Sequence, residues 1–255
     1  MYSSISINDE PASSMEHLGK ERQYWRDIIL GVNDGLISTF LLVSGVSGGK
    51  LFTNQILLTG ISGALAGAVS MFAGEFMATK SQDEVLNGEL KLEQQHICHY
   101  HEEEVDELDK LLTLIGIPET GHDSENIRST LTKYYASNDE ALLKIMVALE
   151  FGVLEKERRQ PVIAGLTSGL LFLLGSMPSM IPFALVQDPQ NGLMIATACT
   201  GISLFAVGYL KTFFTRESSL VGAFENLCIA GFGGIAAYVI GVMFEHVLLS
   251  DGGGE

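Results

Sequence analysis

Ile28-Ile29-Leu30-Gly31-Val32-Asn33-Asp34-Gly35-Leu36-Ile37 places a carboxylate inside an apolar run. The run extends over about 27–48, long enough for a helix to cross a hydrocarbon core, which takes about 20 residues. An Asp at that depth costs about 2.5–3.5 kcal/mol on insertion scales, so it normally faces a cavity or a partner. Asp27 lies two helical turns before Asp34, Gly31 lies between them, and Ser38 follows one turn on. The helix therefore carries one small, polar face.

Four further segments of the same kind follow, at roughly 53–77, 162–186, 193–214 and 220–249. The mean hydropathy is +0.27 over 255 residues, and charge is concentrated in one central stretch. The expected fold is an all-α integral membrane protein. Five transmembrane helices frame a three-helix cytosolic insert between the second and third. The expected organisation is a cytosolic N-terminal tail (1–26), two spans carrying an ion pathway (27–77), the insert (78–160), three more spans (161–249) and a C-terminal tail (250–255). Met1 to Gly19 lacks the apolar core of a signal peptide, so the first span directs insertion.

Lys and Arg set the orientation. With the N-terminus and insert in the cytosol and the C-terminus lumenal, 14 of the 15 basic residues are cytosolic and only Lys50 is not. This is the pattern of the positive-inside rule. Tyr24 and Trp25 fall where interfacial aromatics are expected. A net charge of −16 argues against nucleic acid and is compatible with cations. Cys98, Cys199 and Cys228 lie far apart, with no CxxC pair to suggest a disulfide or thiolate site.

Within the insert, Lys80 to Ile115 reads as a helix continuing out of the second span, with a break near His99. A second helix is expected near Ser124–Tyr135. A third runs from Asn138-Asp139 to Arg159 and straight into the third span. Pro178 and Pro182 should kink or stop that span, and Asp188-Pro189-Gln190-Asn191-Gly192 reads as a turn.

The second span carries Met71 and Glu75 four residues apart on one face. Thioether with carboxylate suits a borderline divalent metal such as Fe(II) better than Mg or Ca. The insert aligns Glu89, Glu93 and His96 on one helix face, and Glu103, Glu104 and Glu107 return to about that face. Its third helix supplies Met146, Glu150 and Glu157, with Glu155 nearby. Such donors suit Fe(II) or Mn(II), with Zn(II) a further candidate for the insert. A solvated acidic face is the competing reading of the same residues. Glu93-Gln94-Gln95-His96 also has the Glu-x-x-His spacing of ferritin-like di-iron sites, and a full site needs a second pair. There is no Ser/His/Asp or Walker signature, so the chain reads as a non-enzyme without a prosthetic group, driven by a gradient.

Three stretches carry a resemblance: Arg26 to Phe40, Ala66 to Met71 with Ala78 to Ser81, and Ala148-Leu149-Glu150-Phe151-Gly152. They resemble the vacuolar iron transporter family. The resemblance covers Arg26 to about Met243. It implies a homodimer moving Fe(II), often also Mn(II), from cytosol into a vacuole-like compartment in exchange for protons. It also implies a pathway between the first two spans, with Asp34 and Met71 as the intramembrane ligands. Insert ligands implied by the resemblance are Glu93, Glu104, Glu107, Met146 and Glu150. The sequence departs from the family pattern at Gly63, where some members carry Glu. It departs again at His96–His101, a His-rich stretch. Two other classes compete: a membrane-anchored ferroxidase built on the insert, and a receptor-like or structural membrane protein.

Overall fold

The structure is a computed structural model that describes residues 22–152, 159–215 and 219–251. The tail up to residue 21, Arg216 in the basic 211–219 loop, Glu155 and Glu157, and the last four residues lie outside the described residues. Every regular element among the described residues is a helix: α1 (Arg22–Gly48), α2 (Thr53–His99), α3 (His101–Leu114), α4 (His122–Ala136), α5 (Asp139–Glu150), α6 (Pro161–Leu185), α7 (Pro189–Thr215) and α8 (Ser219–Asp251). Five of these, α1, α2, α6, α7 and α8, are long and apolar enough to cross a membrane.

The centre of the bundle is α6, which packs against α1, α2 and α7, while α8 closes against α1 and α7. Close approach of α1 and α6 depends on reciprocal glycines. A Cβ on Gly35 would stand against the carbonyl of Phe172, and one on Gly175 against the carbonyl of Val32. Buried hydroxyls cross-link the same helices. Thr39 donates to Ser176 at 2.9 Å, and Ser176 in turn donates to the carbonyl of Phe172 at 2.8 Å. In an environment without water these bonds satisfy groups that would otherwise be stranded.

α6 does not stop at its prolines. It runs through Pro178 and Pro182 to Leu185. Pro182 and Ser179 are buried against neighbouring helices, and the Ser179 hydroxyl meets that of Thr200 on α7 at 2.9 Å. Of the two expectations for these prolines, a kink or a stop, the stop does not occur: tertiary packing holds the helix together through them. The turn after it is shorter than the sequence suggests. Asp188 accepts a hydrogen bond from the Asn191 amide at 2.9 Å, and α7 begins at Pro189. That is the Asp cap with Pro in the first turn.

α2 has 47 residues and so spans about 70 Å, more than twice a hydrocarbon core. Its second half leaves the apolar region and joins α3, α4 and α5 around a core of Ile97, Leu108, Leu112, Leu142 and Met146. The expected break falls at Tyr100, whose φ of −132° and ψ of 39° end α2 and start α3. α4 covers the expected second helix. The third is shorter than expected. α5 ends at Glu150, and Gly152 takes φ +63°, the left-handed glycine that terminates helices. α5 therefore does not continue into α6.

Candidate functional site: a carboxylate-lined cavity and a metal-ligand cluster

A cavity of about 570 Å³ opens between α1 and α2, floored by Phe172 of α6. Asp34, Met71 and Glu75 all line it, together with Ser38, Thr39 and Ser70. The walls are small because Gly63, Gly67 and Gly74 face it. A Cβ at Gly67 would collide with the Phe172 ring. Ser38 donates to the backbone carbonyl of Asp34 at 2.6 Å, leaving the Asp34 carboxylate without a hydroxyl donor from its own next turn. A second cavity of about 550 Å³, between α1, α7 and α8, has no acid or base among its lining residues. Of these two, the first has carboxylate and thioether groups that could hold a divalent ion.

Asp27 is not part of the cavity lining. Its side chain is wholly buried and paired with Arg159, whose own side chain is 8% exposed. The other nitrogen of the same guanidinium, Nη1, reaches Glu75 Oε1 at 3.2 Å. Arg26 Nη2 lies 3.4 Å from Asp27 and 3.5 Å from Glu75. The Tyr24 ring stacks beneath, its centroid 5.7 Å from the Arg159 guanidinium carbon. Two acids and two arginines thus form a charge-balanced cluster at the insert-side end of the cavity.

The second locus lies in the insert, about 24 Å along α2 beyond Met77. Glu93 and His96 of α2 and Glu104 of α3 bring one ligand atom each within 4.8 Å of one another. Two ligands on opposite sides of an ion at about 2.1 Å stand about 4.2 Å apart, so a small inward movement closes the set on a metal. His96 Nδ1 is 3.4 Å from Glu104 Oε1. Glu93 and Glu104 are both buried, and Glu93 Oε1 has no hydrogen-bond partner. Burial first, then the nearby charges of Glu150, Glu104 and Glu107, push the Glu93 carboxyl up to about 7. Glu150 is raised as well, chiefly by burial and then by Glu107 and Glu104. Two buried acids and one imidazole meet here, and the charges of Glu107 and Glu150 act on the same point.

The VIT family profile matches residues 25–242. The chain belongs to the VIT family. It is 29% identical to vacuolar iron transporter 1 of Arabidopsis thaliana over 246 residues, covering 95% of this chain and 96% of that protein. It is 28% identical to vacuolar iron transporter 1 of Oryza sativa, over 91% of this chain and 92% of that one. Protein CCC1 of Saccharomyces cerevisiae is 26% identical over 83% of this chain and 65% of the yeast protein.

In this VIT-family chain the structure gathers Asp34, Met71 and Glu75 at one place and Glu93, His96 and Glu104 at another, while Glu107 and Glu150 are exposed beside the second and act on Glu93 through their charge. Three expected residues stand apart. Asp27 belongs to the arginine cluster. Glu103 is exposed on α3 and is not one of the three clustered ligands. Met146 is fully buried in the apolar core of the insert. Of the other imidazoles, His99 Nδ1 lies 2.8 Å from the Gln95 carbonyl and His101 Nε2 lies 3.1 Å from that of Ala136. Sequence reading missed Arg159. Its one available signal was that two acids at the same depth of neighbouring spans, Asp27 and Glu75, require a cation.

Proposed function

We propose that this VIT-family chain is a divalent metal transporter. It moves Fe(II), and with it Mn(II), from the cytosol into a vacuole-like compartment in exchange for protons. The observation that carries this reading is the meeting of Asp34, Met71 and Glu75 in one cavity between two membrane helices. The names of its relatives point the same way.

A carboxylate binds a metal only after losing its proton, so Asp34 exchanges one cargo for the other. On the cytosolic side it meets the metal. On the acidic side a proton takes the metal's place, and the carboxylate returns neutral. Met71 adds a soft donor that favours Fe(II) over Mg(II). The insert, cytosolic by the distribution of Lys and Arg, gathers the ion at Glu93, His96 and Glu104.

The working unit is a homodimer. Asp34 is exposed on the single chain, and so are Ser62, Ala66, Ser70 and Gly74, spaced four apart on α2. A lipid-facing carboxylate is too costly to persist, and small residues at that spacing let another helix approach closely. A second copy over this face encloses the cavity.

Purified protein in liposomes with an acidic interior tests the reading. Fe(II) and Mn(II) accumulate and the interior loses protons as they do so. No accumulation under the gradient refutes it. Oxygen consumption by the intact chain with Fe(II), without accumulation, would favour the ferroxidase reading instead.

A further inference from the structure

The cation already bound at the pathway mouth belongs to the protein itself. Arg159 lies just before α6, outside any helix, and sends its guanidinium between α1 and α2. There it contacts the fully buried Asp27 and the largely buried Glu75 at once. Glu75 is shared: one carboxylate lines the cavity and also holds Arg159. Its partner is poorly satisfied otherwise, for the Arg159 Nε is buried without an acceptor.

We propose that Arg159 is a tethered competitor of the transported ion, occupying the Asp27–Glu75 pair until an entering divalent cation displaces it. The proposal rests on the transport reading above. The chemistry follows from charge. With Arg159 and Arg26 in place the two acids are neutralised, and the mouth holds no net negative charge for a stray monovalent cation. A divalent ion brings two charges to two carboxylates at once. It gains more attraction from the pair than a single bridging guanidinium does, whereas a monovalent ion gains none over the tethered group. Arg159 therefore sets the metal concentration at which entry begins. It is a specificity-determining residue, with Asp34 and Met71 left as the site beyond it. Asp27 and Asp34 are seven residues apart on α1, about 10 Å, so the two sites are sequential stations.

The test uses full-length protein in liposomes, with uptake measured against Fe(II) concentration and with guanidinium chloride as the probe. Arg159→Ala lowers the half-saturating Fe(II) concentration about tenfold, since a tethered group acts as a high local concentration of competitor. Added guanidinium at low millimolar concentration reverses that shift in Arg159→Ala and leaves the wild type unchanged. Arg159→Lys, which keeps the charge but lacks the two-pronged geometry, moves half-saturation in the same direction by less. It decides the matter should the alanine variant fail to fold. If half-saturation is unchanged or raised in Arg159→Lys, or guanidinium restores a lost uptake in Arg159→Ala, Arg159 is a structural tie and the proposal is overturned. Wild-type protein that moves no metal at all would refute the transport reading instead.

Discussion

His96 Nδ1 at the end of α2 stands 3.4 Å from Glu104 Oε1 in the first turn of α3, across the break at Tyr100. The break folds the two ligand-bearing helices toward each other, so residues eight apart in sequence share one site. An unbroken helix would separate them by about 12 Å along its axis. Glu104→Gln keeps the shape and removes one anionic ligand. Titration calorimetry of the detergent-solubilised chain with Mn(II) should show affinity for the insert site falling about 10- to 100-fold, the range typical of losing a metal-site partner. An unchanged affinity would remove this cluster from consideration.

The raised Glu93 carboxyl makes the insert sensitive to pH. In the folded, metal-free protein Glu93 keeps its proton up to about 7, against an ordinary value of 4.5. Between those values the folded state binds the extra proton, so the group's contribution to stability falls as pH rises through this window. The melting temperature of metal-free protein should therefore drop between pH 5 and pH 7.5. Mn(II) should restore it at the upper end, where the carboxylate is free to bind metal. Glu93→Gln should flatten the step, and a step that persists in that variant would assign it to other groups.

Met71 contributes a thioether to the cavity wall. Met71→Leu conserves volume and removes the sulfur. Half-saturating Fe(II) should rise about tenfold, which corresponds to about 1.4 kcal/mol. Mn(II) uptake, which relies on the oxygen donors, should change less. Equal losses for both metals in the uptake assay would mean that Met71 acts by packing.

Gly35 and Gly175 set the separation of α1 from α6. Gly35→Val forces the helices apart and should cost about 1–3 kcal/mol, as overpacking does. The thermal midpoint of the solubilised protein, followed by size-exclusion chromatography, should fall. Gly88→Ala, exposed on the far half of α2 with open space around its added Cβ, serves as the comparison. A Gly35→Val midpoint equal to wild type would contradict the close crossing.

The five spans were legible because hydropathy averaged over twenty residues is a strong, local signal. Asp34 stood out for the same reason: one charge in such a run has few benign explanations. The break at Tyr100 was approachable from its cluster of His and Glu. Helix ends were harder. Glu150-Phe151-Gly152 contains the terminating glycine, yet the charged residues after it continue a helical pattern in the sequence and predict a helix on to Arg159. Pro178 and Pro182 suggest a kink or a stop; the helix does not stop there, since buried contacts with α1 and α7 carry it to Leu185, where the apolar segment ends. Arg159 was invisible because its partner Asp27 is 132 residues away. No periodicity within one helix reports a pairing at that distance. Met146 has the spacing of a ligand and the burial of a core residue, and spacing alone does not separate the two.

The central claim is that Asp34 exchanges metal for protons within the α1–α2 cavity. Asp34→Asn keeps the size and polarity of the side chain and removes both its charge and its titration. The deciding measurement is initial Fe(II) uptake into liposomes with an acidic interior, with interior pH followed in the same vesicles. The account predicts that Asp34→Asn folds as wild type but loses both metal entry and the coupled proton efflux, by 100-fold or roughly 2.7 kcal/mol. Asp34→Asn vesicles that keep wild-type uptake and wild-type proton efflux would contradict it.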